Sequence, residues 1–94
     1  MGHEEERLHR AVGRRLRELR TGTPGLSQER LASQAGLHFT FVARVERGET
    51  AVTVDSVTAL CRALDVSLAE FFQPFDRPFD IKGPRRRRRQ ASAP

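Results

Sequence analysis

Few residues of this chain are of types that do covalent or metal chemistry. Its histidines and its one cysteine are His3, His9, His38 and Cys61, and they fall at no spacing that metal ligands use. No nucleophile stands with a base and an acid in a recognisable set, and no Gly-rich phosphate loop occurs. The side chains left to act do so by charge and hydrogen bonding, and the stretch that decides the chain is Gly36–Gly48, GLHFTFVARVERG. There His38, Phe39 and Thr40 precede Ala43, Arg44 and Arg47, while Val42 and Val45 can face a core. Such a helix holds itself with one side and offers the other. The chain is read as a non-enzyme that needs no cofactor and no metal.

The elements that must position this stretch are helical throughout. Leu8, Val12, Leu16 and Leu19 recur at spacings of 4, 4 and 3, one apolar stripe of a first helix over Glu4 to Arg20. The string TGTPG, residues 21–25, ends it. Ser27 caps a second helix that Gly36 stops in a left-handed conformation. The third runs from about His38 to Arg47. Two short helices joined by a tight Gly turn outline a helix-turn-helix. Thr53 caps a fourth helix with Val54, Val57, Leu60, Cys61 and Leu64 on its apolar face. Ser67 caps a short fifth holding Leu68, Phe71 and Phe72, which Pro74 should end. No strand pattern appears, so the fold class is all-α.

Length and charge bound the rest. The 94 residues allow one domain with a modest core. A single cysteine can form no disulfide within the chain and suits a reducing, intracellular setting. No apolar run approaches a membrane span, and no apolar region of a secretory signal opens the chain; a cytoplasmic protein is the default expectation. Of the net charge of +5, residues 1–81 hold eleven Arg against twelve acids, while 82–94 hold Lys82 and Arg85, Arg86, Arg87, Arg88 and Arg89. The body is nearly neutral, so a basic patch on it must come from arrangement. The organisation expected is a folded unit over 4–73, a short aromatic extension over 74–81 containing PFDRPFD, and a basic, disordered tail over 82–94.

LSQ at 26–28, LA at 31–32, AG at 35–36, VERG at 45–48 and LDVSLAEFF at 64–72 occur in a specific order and spacing. From Val12 to Phe72 the chain resembles the lambda-repressor-like helix-turn-helix family of Cro/repressor and Xre type. The resemblance implies a compact five-helix domain whose second and third helices bind double-stranded DNA through the major groove. It implies a transcriptional regulator acting as an operator-binding homodimer on a near-palindromic site.

On that reading His38, Phe39, Thr40, Ala43 and Arg44 point toward bases. Arg44 leads, since Arg can bond a guanine edge bidentately. Thr40 offers a hydroxyl and a methyl. Phe39 stands where relatives often carry a polar reader; its ring either packs on a thymine methyl or covers the turn. His38 replaces the usual Ser or Thr cap. The resemblance further implies that Gln28 bonds a phosphate, beside Ser27 at the helix start, and that Arg20 and Glu46 form a structural ion pair. Arg47 and Thr50 are expected backbone contacts, with Arg14 and Arg17 weaker ones. Phe41, in place of a frequent Tyr, is expected to pack.

Leu68, Phe71, Phe75 and Phe79 are the candidate dimer surface, with Phe72 assigned to the core; alternatively Phe75 and Phe79 fold back over the monomer. The Arg run of the tail should add nonspecific phosphate attraction. The rival reading is an antitoxin-like adaptor whose C-terminal region binds an acidic protein partner.

Overall fold

The computed structural model describes residues 3–75. Five α-helices follow in order: α1 His3–Thr21, α2 Gln28–Ala35, α3 Phe39–Glu46, α4 Val54–Leu64 and α5 Leu68–Phe71. A 3-10 turn, Gln73–Phe75, closes the described chain. No strand occurs among the described residues, so the all-α, five-helix expectation holds. The expectations for Phe79 and for Arg85–Arg89 lie outside the described residues.

Local chemistry sets the helix boundaries. The Ser27 hydroxyl accepts from the Arg30 N–H at 3.0 Å, which satisfies one of the unpaired donors that open α2. Thr53 and Ser56 form a reciprocal capping box at α4, and Ser67 accepts from the Glu70 N–H at α5. Gly36 ends α2 at φ 72°, where a side chain would strain the backbone. Asp65 ends α4 in the same left-handed region, at φ 62°, a position that short polar side chains tolerate better than most.

The core lies where all five helices meet. Leu16, Leu31, Val42, Val45, Leu60 and Phe71 are its largest fully buried side chains. Each full burial of a residue of this kind contributes roughly 1.5–3 kcal/mol. Gly13 lets α1 and α3 touch. A Cβ there would overlap the carbonyl oxygen of Val45 and press on that of Glu46 at 2.9 Å.

Three expectations are corrected. Phe71 belongs to the core, not to an exposed dimer surface, because α5 turns that ring inward while Phe72 is only partly buried beside it. Val54 is 74% exposed and adds nothing to the apolar face of α4; it is the first residue of the helix, ahead of the turn that meets the core. Pro74 does not end α5, which already stops at Phe71; it sits inside the following 3-10 turn.

Candidate nucleic-acid interface

A helix can present a reading face only if its other face is fixed. Val42 and Val45 of α3 are buried to 1% exposure or less. A polar cluster locks its C-terminal end. Arg20 of α1 donates from Nε to Glu46 Oε2 at 2.6 Å and from Nη2 to Oε1 at 3.1 Å. Its Nη1 donates to the Leu26 carbonyl at 3.1 Å. Gln28 Nε2 at the start of α2 donates to Glu46 Oε1 at 2.9 Å. The Glu46 side chain is 1% exposed, so three hydrogen bonds compensate a carboxylate that has left water. One cluster thereby joins α1, the α2 start and the α3 end. The expected Arg20–Glu46 pair is present, and Gln28 supports it. The Gln28 amide spends one N–H on Glu46 rather than standing wholly free for phosphate.

The opposite side of α3 is open. His38 precedes the helix, exposed, and its side chain makes no capping bond. Phe39, Thr40 and Arg44 are exposed. The Arg44 side chain makes no hydrogen bond or salt bridge to another described residue. Ala43 corrects the sequence reading. It is 7% exposed, on the side of α3 that turns toward its neighbours, and cannot be an open base reader. Phe41 is half-buried and packs against the core, as expected.

Arg47 is not a free cation. Its Nε and Nη2 donate to Glu49 Oε2 and Oε1 at 2.9 and 3.1 Å. Both side chains stay more than half exposed. The Arg47 hydrogen bond holds the Glu49 carboxyl below the usual carboxylate range, and Arg44 adds to this by charge. The same bond raises Arg47 in turn. Gly48, between them, takes φ 74° with Arg10 of α1 close against it. Thr50 is partly buried and donates only a long 3.4 Å bond, to the Ala51 carbonyl.

Arg14 and Arg17 are exposed on α1. Arg14 lines a shallow groove with Ala11, Arg15, Glu18, Pro74 and Phe75. Phe75 is half-buried and stacks edge-on with Phe72, ring centroids 5.5 Å apart. It thus follows the fold-back alternative. Leu68 remains exposed, at 40%.

Two residues escaped the sequence reading. Arg15 donates to the carbonyls of Glu70 and Phe71, each at 2.7 Å. It satisfies the C-terminal end of α5 from more than fifty residues away, and no local pattern announces that. Glu49 was legible, since an acid two residues after Arg47 is within reach of it. Cys61 is buried, and burial pushes its thiol up; it is a core residue. No group of His, Cys, Asp and Glu among the described residues could hold a metal. No helix among them is long and apolar enough to cross a membrane.

Comparison with known proteins bears on this geometry. A helix-turn-helix family model matches residues 16–71. The solved restriction-modification controller protein C.AhdI from Aeromonas hydrophila superposes with a TM-score of 0.67 at 44% identity, covering 70% of this chain and 98% of that one. The control protein C.BamHI of Bacillus amyloliquefaciens is 35% identical over 54 residues, 57% of this chain and 67% of the relative. The control protein C.SmaI of Serratia marcescens is 46% identical over 43 residues, 46% of this chain and 51% of the relative.

Proposed function

The chain belongs to the helix-turn-helix family of Cro/C1-type, DNA-binding transcription regulators, and on that premise we propose that it is a controller of a restriction-modification system. It binds an operator as a homodimer and sets transcription by occupying it. Three relatives, all control or controller proteins, support this role. They speak for the regulator rather than for an adaptor with an acidic protein partner.

The observation that carries the DNA-reading part is the division of α3. Val42, Val45 and Glu46 are fixed inside, while Thr40 and Arg44 are open to solvent. Arg44 reads a guanine edge and Thr40 a neighbouring base. Gln28, Ser27, Arg47 and Thr50, with Arg14 and Arg17 from α1, contact phosphates and set register. Leu68 contributes to the dimer surface, and a dimer implies two half-sites about one helical turn apart. The unit runs over 4–73, the arginines of 85–89 add nonspecific attraction, and the protein acts in the cytoplasm.

Selection of binders from random duplex DNA tests this. A near-palindromic site should be enriched, and a duplex from upstream of the protein's own gene should carry it. A lone half-site with a strict monomer in sedimentation removes the dimer. No enrichment at all removes DNA reading.

A further inference from the structure

Phe39 is the wrong kind of residue for the face it occupies. Among the described phenylalanines it is the only one that is exposed, at 46%. Phe71 lies in the core, and Phe41, Phe72 and Phe75 pack against it. Phe39 does neither. The other exposed residues of α3 and its end are Thr40, Arg44 and Arg47, all polar. A phenyl ring left 46% exposed on a hydrogen-bonding face gains less from the fold than a packed one.

Its place on the helix gives the ring a use. Phe39 is the first residue of α3, and the N-terminal residues of a reading helix go deepest into the major groove. Base edges there present donors and acceptors, with one apolar exception, the C5-methyl group of thymine. Phe has no donor or acceptor of its own. Against a polar edge it would only strip water from groups it cannot bond. Against a methyl it buries apolar surface on both sides.

We propose that Phe39 is a specificity-determining residue that selects a pyrimidine carrying a C5-methyl group. Thymine is one such base. Cytosine methylated at C5 is the other, because it places the same methyl at the same point of the groove. Operator binding thereby becomes sensitive to cytosine methylation at the step that Phe39 covers. The inference rests on the DNA-reading role of α3 proposed above.

The test starts from the duplex enriched by selection. Each thymine is replaced in turn by deoxyuridine, which removes the methyl and keeps every hydrogen-bonding group. At one thymine per half-site the wild type should lose affinity by about four-fold, the value of one buried methyl-sized group. Phe39→Ala should bind the two duplexes equally. Thr40→Ser, which loses the other methyl on this face, should keep the wild-type difference. With cytosine at that position, C5 methylation should restore about four-fold for the wild type and nothing for Phe39→Ala. Indifference to deoxyuridine at every position overturns the proposal, as does a difference that survives in Phe39→Ala. The DNA-reading function fails differently: no duplex is enriched, and both readings fall.

Discussion

Two arginine–glutamate pairs flank the end of α3, with the same bidentate chemistry and opposite surroundings. Arg20 and Glu46 meet where the side chains are 13% and 1% exposed. Arg47 and Glu49 meet in water, at 56% and 51%. The first cannot exchange its partner, because water is excluded and Gln28 and the Leu26 carbonyl fill the remaining bonds. The second can, because solvent or a phosphate reaches it freely, and exposed pairs contribute little to stability. The comparison separates holding from reading: the buried pair fixes where α3 stands, and the exposed pair is available to what α3 meets.

The sharpest break of that comparison is Arg20→Ala. It leaves the Glu46 carboxylate buried beside Gln28 alone, and removing one partner of a buried pair costs about 3–5 kcal/mol. Thermal or urea unfolding should record that loss, and DNA affinity should fall with it because α3 is no longer held. A loss near that of an exposed pair would mean that Glu46 reaches water after all. Gly13→Ala attacks the same region without touching charge. The new methyl collides with backbone at Val45 and Glu46, which cannot rotate away, and overpacking of this kind costs about 1–3 kcal/mol. It should destabilise the fold and leave the Arg47–Glu49 pair intact.

How much of this was legible in the sequence follows the range of each interaction. Ser27, Gly36, Thr53 and Ser67 announced their helix ends because capping is chemistry within four residues. Val42 and Val45 were legible for the same reason. The Arg20–Glu46 pair, twenty-six residues apart, came from family resemblance and not from pattern. The sequence does not place Phe71, because a four-residue helix has too little period to fix its face. What orients that helix is Arg15, bonded to its last carbonyls from α1. The need for Gly13 appears only once α3 lies against it. The burial of Ala43 is not legible, because the tertiary neighbours that cover it leave no mark on the spacing within α3.

Arg44→Ala tests reading directly. Loss of a bidentate base contact should cost about 1–3 kcal/mol at one base pair and relax specificity there. An equal loss on every duplex would make Arg44 a phosphate contact.

The smallest effects belong to the exposed pair, and salt dependence resolves them. If Arg47 leaves Glu49 for a phosphate, Arg47→Ala should weaken all duplexes alike and flatten the slope of log affinity against log salt by about 0.9. Glu49→Gln should do the reverse: affinity rises for cognate and noncognate DNA together, because no partner must be displaced and one negative charge leaves the face. Acid should mimic it. The Glu49 carboxyl is held below its ordinary value, so the pair persists above the usual carboxylate range and is lost only as pH falls through that depressed value. The unfolding midpoint of Glu49→Gln at neutral pH should stay at the wild-type value. A wild-type slope in both Arg47→Ala and Glu49→Gln would mean that the pair stays closed on DNA, and Arg47 would then belong with Arg20, as a holding residue.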